Sequence, residues 1–167
     1  MTIILIGMPG VGKTCMGKAL SSKLKLKHYD TDKVIEKKMK KPLHVLIAEC
    51  GLEGFKKLEE KILLNINFEN AIISTGGSAV YYDKAMEHFK SIGKVIYLYA
   101  KLDTIINRLG DFTERGIAMK EGQTIEDLYN ERCSLYEKYA DLTVDCSNNN
   151  YTAHRDEIIS LINKKGE

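Results

Sequence analysis

Gly7-Met8-Pro9-Gly10-Val11-Gly12-Lys13-Thr14 follows directly after the apolar run Ile3-Ile4-Leu5-Ile6. A strand that leads through a glycine-rich loop into a helix is typical of phosphate-binding loops. Glycines let backbone N–H groups turn inward around an anion, and the helix adds the positive end of its dipole. Lys13 is then expected at the β and γ phosphates of a bound nucleotide, and the Thr14 hydroxyl at Mg²⁺. The residues expected to bind the nucleotide in this stretch are Gly10, Val11, Gly12, Lys13, Thr14 and Cys15. The alternative is a turn that only joins a strand to a helix.

Size and composition indicate one globular domain over residues 1–167. The chain is 44% hydrophobic and 29% charged, which is ordinary for a globular protein with a buried sheet. Its formal net charge of +2 is too small for a nucleic-acid-binding surface, so we expect no nucleic-acid partner, and we expect a monomer. Lysines cluster within residues 23–27 and 37–41. We interpret them as solvated faces, with phosphate binding as the alternative.

The cysteines indicate a reducing compartment. Cys15, Cys50, Cys133 and Cys146 show no paired C-x-x-C spacing, and the N-terminus begins a strand rather than a charged leader before an apolar stretch. We therefore expect reduced thiols and a cytoplasmic protein. No apolar run is long enough to span a bilayer, so we expect no membrane partner. Cys15 and Cys133 fall in predicted helices, where we interpret them as small core or near-core residues.

Strand-like runs alternate with helical patterns along the chain. The alternation predicts a five-stranded parallel sheet with helices on both faces, which is a three-layer α/β sandwich of the P-loop type. The first helix is predicted from Lys13 to Leu24, with Met16, Ala19 and Leu20 on its apolar face. The predicted strands are Ile3 to Ile6, His28 to Asp30, Ala71 to Ser74, Lys94 to Ala100 and Leu142 to Asp145.

Two stretches exceed what a minimal alternation of strands and helices requires. Residues 33–66 contain three short helical patterns, and we expect them to fold as a helical flap over a substrate. Residues 110–123 hold charges and glycines without apolar periodicity, follow a helix and include Arg115. Loops of this length often act as lids, so we predict a mobile lid, with a passive connector as the alternative.

Two carboxylates follow the second predicted strand. Asp30 and Asp32 lie two residues apart at the sheet edge where α/β folds bind ligands. A phosphoryl-transfer site needs an anion near Mg²⁺ and a second group that accepts or orients the attacking hydroxyl. The spacing allows one aspartate for each task. It equally allows Asp32 to cap a helix that starts at Lys33.

Arg132 lies on an apolar stripe. The helix predicted from Thr124 to about Lys138 has Leu128, Tyr129 and Leu135 on one face, and Arg132 falls on that same face. A buried guanidinium without a counter-ion costs several kcal/mol, so an anion is expected beside it. That anion is either a protein carboxylate or a substrate anion.

Two further motifs leave alternatives open. Lys56 and Glu59 are three residues apart on a helical pattern, and they form either a weak surface ion pair or a cation and a carboxylate that line the acceptor pocket. Gly76 and Gly77 end the third strand without an aspartate, which places the metal carboxylate on Asp30. The glycine pair permits either close approach of the backbone to a ligand or a tight turn.

These pieces, taken in order, resemble the shikimate kinase family of small P-loop kinases from Ile3 to about Asp145. The matching positions are Gly7 to Thr14, Asp30-Thr31-Asp32, Phe55-Lys56-Lys57-Leu58-Glu59, Ser74-Thr75-Gly76-Gly77, the segment around Arg115, and Glu131-Arg132-Cys133-Ser134-Leu135-Tyr136. The resemblance implies that ATP is the phosphoryl donor. It further implies that Mg²⁺ is held by Thr14 and, often through water, by Asp30, and that Asp32 binds acceptor hydroxyls and is a candidate base.

The resemblance also assigns cations. It implies that Arg132 binds the acceptor carboxylate, that Arg115 closes over the transferring phosphate, and that Arg108 stacks on adenine. Lys56, Gly76 and Gly77 complete the acceptor-binding set, and Lys13, Asp32 and Arg115 form the catalytic set.

The chain departs from the family pattern at three places. Lys56 stands where the family has arginine in a Phe-Arg-x-x-Glu motif, and Ser78 stands where it has a third glycine. Arg115-Gly116-Ile117-Ala118 stands where the family has Arg-Pro-Leu-Leu. A lysine keeps the charge but cannot grip a carboxylate with two parallel bonds, so the identity of the acceptor is the weakest point of the resemblance.

The resemblance and the residues together predict an ATP-dependent kinase that acts on a small hydroxy carboxylic acid. Shikimate, converted to shikimate 3-phosphate, is the expected acceptor. Homoserine, gluconate or a nucleoside monophosphate are alternative acceptors for the same chemistry. A module that binds a nucleotide without transferring phosphate is the alternative of a different class.

Overall fold

Five parallel strands form one sheet in the order β2-β3-β1-β4-β5. The computed structural model describes residues 1–110 and 117–164. All four residues of β1 and of β3 are buried, so both faces of the sheet centre are covered, as in other parallel sheets. The strands are β1 (Ile3–Ile6), β2 (Lys27–Asp30), β3 (Ala71–Ser74), β4 (Lys94–Tyr99) and β5 (Leu142–Asp145). The five predicted strands are therefore confirmed, each within one residue at either end.

Helices cover the two faces of this sheet. Helices α1 and α7 contact each other and pack on one face, whereas α4 and α6 contact β4 and share a short 3-10 turn at Ala79–Tyr81. The helices are α1 (Lys13–Leu24), α2 (Thr31–Met39), α3 (Leu43–Leu63), α4 (Asp83–Ile92), α5 (Leu102–Leu109), α6 (Ile125–Tyr139) and α7 (Tyr151–Lys164). The α/β class and the three layers are thus as predicted.

The strand order fixes where a ligand can bind. Strand β1 lies at the centre, with β3 and β2 on one side and β4 and β5 on the other. The chain therefore changes its direction of winding at β1, and a crevice forms beyond the carboxyl ends of the strands at such a point. The segments that follow β1, β2 and β3 all open at this edge.

The flap predicted at residues 33–66 corresponds to α2 and α3. Gly51, at φ 68° and ψ 170°, interrupts α3, so the segment contains three helical stretches, as predicted. Its apolar side chains form a cluster of their own, separate from the core under the sheet, and Ala118 joins that cluster. The members are Ile35, Leu43, Leu46, Phe55, Ile62 and Ala118.

The cysteines are all free thiols, and one prediction about them is wrong. Cys15 is exposed rather than near the core, because the apolar face of α1 is centred on Met16 and Leu20. Cys133 is half-buried and accepts a hydrogen bond at 3.4 Å from the Tyr97 hydroxyl. In residues 1–110 and 117–164, no helix has the length and hydropathy needed to cross a membrane.

Candidate active site

A cleft of about 700 Å³ lies at the carboxyl edge of the sheet. Most of the predicted site residues line it, namely Gly10, Gly12, Lys13, Thr14, Cys15, Asp30, Asp32, Gly76, Gly77, Arg108 and Arg132. Val11 and Lys56 are not among the lining residues. Arg115 lies outside the residues that the structure describes.

The loop between β1 and α1 holds Lys13 against its own backbone. The Nζ atom of Lys13 donates hydrogen bonds to the carbonyl oxygens of Gly7 at 2.7 Å and Met8 at 2.9 Å. Burial lowers the pKa of Lys13 to about 8, although the carboxylate of Asp32 opposes this shift. Gly12 precedes α1 at φ 103°, a conformation that side chains rarely adopt, so glycine is needed to open this turn.

Thr14 and Asp30 form a pair of oxygen ligands at the mouth of this loop. The Thr14 hydroxyl donates to Asp30 Oδ2 at 2.6 Å, and Asp30 Oδ1 accepts the backbone N–H of Asp32 at 3.0 Å. Asp30 is therefore the N-cap of α2, which begins at Thr31, and the alternative in which Asp32 caps a helix at Lys33 is wrong. Mg²⁺ is commonly held by one or two protein oxygens together with substrate phosphates, and this pair fits that donor set.

Asp32 is placed inside the cleft and has an unusual acidity. Burial, together with the nearby carboxylates of Asp30 and Glu59, raises the pKa of Asp32 to about 7, while Lys13 acts in the opposite direction. A carboxylate whose pKa is near neutrality suits a group that must accept a proton from an alcohol. The structure thus places Asp32 where the sequence suggested and gives it a suitable acidity.

The two glycines after β3 make room for side chains of the site. A Cβ atom on Gly76 would lie 2.6 Å from Asp32 Oδ1, and one on Gly77 would lie 2.7 Å from an Nη atom of Arg132 and 2.8 Å from Pro9 Cδ. Neither contact leaves space for a methyl group. The pair therefore serves close approach, and what it admits in this structure is the Asp32 carboxylate and the Arg132 guanidinium.

Arg132 is buried in the cleft wall with one edge directed at the glycines. It is only 1% exposed. Its Nε donates to the Tyr81 hydroxyl at 3.1 Å, and its Nη2 donates to the Ala118 carbonyl at 2.8 Å. Over residues 1–110 and 117–164, it has no ion pair with a carboxylate within 4.0 Å. A buried guanidinium in this state is ready to receive an anion from the cleft.

Glu59 and Lys56 are arranged differently from either interpretation of their spacing. Glu59 is 1% exposed, lines the cleft, and accepts hydrogen bonds from the hydroxyls of Ser78 and Tyr82. Lys56 instead pairs with Glu53 at 3.5 Å. The carboxylate thus faces the cleft as one interpretation held, but the lysine does not accompany it.

Lys56 also lies over the ring of Tyr81, with its Nζ 5.4 Å from the ring centroid. Arg132 lies 5.1 Å from the same centroid. The aromatic ring therefore carries both cations, but only Arg132 lines the cleft. This geometry gives no support to the expectation that Lys56 binds the acceptor directly.

Arg108 borders the other end of the cleft. Its Nη2 donates to the carbonyl of Asn148 at 3.0 Å and to Oδ1 of Asn149 at 3.1 Å, and its Nη1 donates to the Val11 carbonyl at 3.4 Å. The ring of Tyr151 lies 5.9 Å from the guanidinium carbon. Arg108 and Tyr151 together provide planar surfaces near the phosphate loop, and a nucleotide base could stack there.

Sequence reasoning missed Tyr151, Tyr81 and Tyr82 as site residues. Tyr151 begins α7 after a polar turn, and nothing in that turn marked it as part of the cleft. Tyr81 and Tyr82 follow the glycine pair closely, so they could have been expected near the site from the position of that pair alone. Ser78 was recognised as a departure from the family pattern, although not as a partner of Glu59.

The cleft therefore joins two kinds of chemistry. One end presents the phosphate loop, Lys13 and a pair of metal-binding oxygens. The other end presents a carboxylate of near-neutral pKa and a guanidinium without a carboxylate partner, Asp32 and Arg132. A phosphoryl group bound at the first end would face a hydroxylated anion held at the second.

Known proteins with this sequence pattern and fold are kinases. The sequence model of the family described as "Shikimate kinase" matches residues 9–163. A shikimate kinase of Bacillus cereus (strain AH187) is 32% identical over 98% of this chain and 99% of its own length. One of Francisella tularensis subsp. novicida is 35% identical over 86% of this chain and 84% of its own length.

The solved structures agree with the sequence matches. A shikimate kinase from Acinetobacter baumannii, in complex with shikimate, has a TM-score of 0.90 and 28% identity, covering 98% of this chain and 93% of the other. The family match spans most of the chain and includes the phosphate loop from Pro9 onward. The chain therefore belongs to the shikimate kinase family and is an ATP-dependent phosphotransferase.

Proposed function

We propose that this enzyme transfers the terminal phosphoryl group of ATP to a hydroxyl of shikimate and forms shikimate 3-phosphate. The observation that carries the proposal is that Asp32 and Arg132 line the same cleft as Lys13. Shikimate offers an alcohol for the first and a carboxylate for the second. The names of the relatives, and the ligand of the Acinetobacter baumannii structure, support the same acceptor.

In this proposal the residues act by positioning and by neutralising charge. Lys13 leaves the loop carbonyls to contact the phosphates, and Asp32 orients the attacking hydroxyl and accepts its proton. Arg132 binds the acceptor carboxylate through the edge that faces Gly77. Arg115 closes over the transferring phosphate, a role that we infer from the family resemblance.

We further propose that Mg²⁺ binds between Thr14, Asp30 and the phosphates of ATP. When bound, the metal would neutralise the charge that builds up on the phosphate oxygens. The Thr14–Asp30 hydrogen bond of 2.6 Å brings the two donor oxygens together before any metal arrives. Neither residue has to cross the cleft to take up this task.

The position of Lys56 favours one rival within the same chemistry. Because Lys56 pairs with Glu53, Arg132 is the guanidinium left for the acceptor anion on this side of the described cleft. A hydroxy acid other than shikimate, such as gluconate or homoserine, could satisfy one arginine. A module that only binds nucleotide would leave Asp32 and Arg132 without a common task.

Release of ADP across a panel of acceptors tests the proposal. We expect strong release with shikimate and Mg²⁺, little with homoserine, gluconate or a nucleoside monophosphate, and a product whose phosphate NMR identifies on the hydroxyl at carbon 3. Lys13→Met should abolish release, whereas Lys18→Met, which changes an exposed lysine of the same helix, should not. No response to millimolar shikimate beside a clear response to another acceptor would contradict the proposed function.

A further inference from the structure

Glu59 is a buried carboxylate that hydroxyl groups hold in place. The Ser78 hydroxyl lies 2.9 Å from Glu59 Oε1 and 2.7 Å from Oε2, and the Tyr82 hydroxyl lies 2.7 Å from Oε2. All three residues are buried. Among the ion pairs within residues 1–110 and 117–164, none involves Glu59. This hydroxyl clamp, consisting of Ser78 and Tyr82, therefore takes the place that a cation would have.

The clamp leaves part of the carboxylate free. A carboxylate has about four lone-pair sites, and the two hydroxyls supply only two protons, both of which reach Oε2 and one of which is shared with Oε1. Glu59 Oε1 therefore retains the larger unused capacity. It points at the gap over Gly76, where a Cβ would lie 3.2 Å from Oε1 and 2.6 Å from Asp32 Oδ1. Two carboxylate oxygens thus face the same small space in the cleft.

A free carboxylate oxygen in this space suits a hydroxyl donor. A second anion is excluded, since Asp32 and Glu59 would both repel it, whereas a polyhydroxylated acceptor can donate one O–H to each. Burial raises the pKa of Glu59, and the hydrogen bonds from Ser78 and Tyr82 oppose that shift. The clamp therefore favours the charged form, which is the stronger acceptor of a hydrogen bond.

We propose that Ser78 and Tyr82 are positioning residues for acceptor recognition: they hold the Glu59 carboxylate so that Oε1 accepts a hydrogen bond from an acceptor hydroxyl beside Asp32. The inference rests on the proposed function for the identity of that acceptor. Ser78, which departs from the family's glycine, thereby helps to determine which pattern of hydroxyls the cleft accepts.

Steady-state kinetics with shikimate test this role. Ser78→Ala should raise KM for shikimate about tenfold, as expected for losing one well-placed hydrogen bond, with kcat and KM for ATP within twofold of wild type. Ser78→Thr, which restores the hydroxyl, should recover most of the loss, and Ser91→Ala on the exposed surface should have no effect. Glu59→Gln should raise KM as well, and the double variant Ser78→Ala/Glu59→Gln should be no worse than Glu59→Gln.

Deoxy analogues of shikimate sharpen the test. For the analogue that lacks the hydroxyl bound by Glu59, wild type and Ser78→Ala should show the same KM, while the other analogues should keep the difference. A KM for shikimate unchanged in Ser78→Ala, parallel increases in KM for shikimate and ATP, or multiplicative losses in the double variant would each overturn the inference.

A titration without any acceptor separates this inference from the proposed function. The carboxyl ¹³C resonance of Glu59 reports its pKa, on which Tyr82, Arg132 and the nearby Asp32 also act. The pKa should rise further in Ser78→Ala and in Tyr82→Phe, and no change in either variant would overturn the clamp. If wild type does not phosphorylate shikimate, the proposed function fails, and the same kinetic comparison with the acceptor that releases ADP decides the role of Ser78.

Discussion

Replacing Gly76 by alanine should damage both stability and turnover, for a reason that the distances specify. The new methyl carbon would lie 2.6 Å from Asp32 Oδ1 and 3.2 Å from Glu59 Oε1. Real Cβ contacts are essentially never shorter than 3.0 Å, so the Asp32 carboxylate or the backbone of the turn has to move by several tenths of an ångström. Gly76 is itself buried, which leaves little room for that movement.

The expected magnitudes follow from this displacement. Overpacking a well-packed interior costs about 1–3 kcal/mol, so the free energy of unfolding in urea should fall by that amount. A misplacement of about 1 Å can reduce turnover about 100-fold, and a shift of roughly half that size should reduce kcat about tenfold. Urea unfolding followed by circular dichroism, and initial rates at saturating ATP, measure the two effects.

Two comparisons show whether Asp32 is the cause. Gly54→Ala adds a methyl on the flap, where the nearest atom is the Cβ of Cys50 at 3.1 Å, and it should leave kcat close to wild type. In an Asp32→Ala background the obstructing carboxylate is gone, so the further stability cost of Gly76→Ala should shrink. A wild-type kcat for Gly76→Ala, or an undiminished stability cost in that background, would refute the steric explanation.

Other substitutions test other parts of the site. Arg132→Lys keeps the charge but loses the planar fork, so KM for the acceptor should rise about 10- to 100-fold, whereas Arg155→Lys on the α7 surface should leave it unchanged in the same assay. Asp32→Asn should lower kcat far more than it changes KM for ATP, and equal kcat in the two proteins would exclude Asp32 as the base. Because burial raises the pKa of Glu59, the folded state holds that proton more tightly than the unfolded chain does. Unfolding free energy of wild type should therefore fall as pH rises from the ordinary glutamate pKa through the raised value, and Glu59→Gln should lose that part of the slope in urea unfolding. Both ring nitrogens of buried His154 lack a hydrogen-bond partner in the described part of the chain, so His154→Leu should keep or increase the unfolding free energy, and a loss above about 1 kcal/mol would contradict this reasoning.

The fold was predictable because its signals are local. Strand β1 is a run of four apolar residues before a glycine-rich loop, and α1 begins and ends at the residues that the sequence predicted, Lys13 and Leu24. Parallel order follows from the alternation of strands and helices, since a parallel connection needs a crossover. The differences at strand ends amount to one residue, as at β2, which begins at Lys27 rather than His28.

The site was predictable only where one residue type on one element carried the signal. Arg132 could be singled out because a guanidinium on an apolar stripe is anomalous. The partners of Glu59 could not, because Ser78 and Tyr82 lie 19 and 23 residues further along the chain and meet it only after the flap packs on the sheet. For the same reason the Lys56–Glu59 spacing misled, since helical periodicity says which face a residue is on but not which distant segment competes for it.

The carbonyl bonds to Lys13 have a consequence for the empty enzyme. An ammonium group that already has two backbone acceptors is not an idle positive charge, and an entering anion must replace both bonds, each worth about 1.5–3 kcal/mol when one partner is charged. Chloride or a lone sulfate offers little in exchange. A polyphosphate chain, which engages the loop amides as well as the ammonium, offers much more. The resting loop thereby rejects common small ions and opens for the nucleotide.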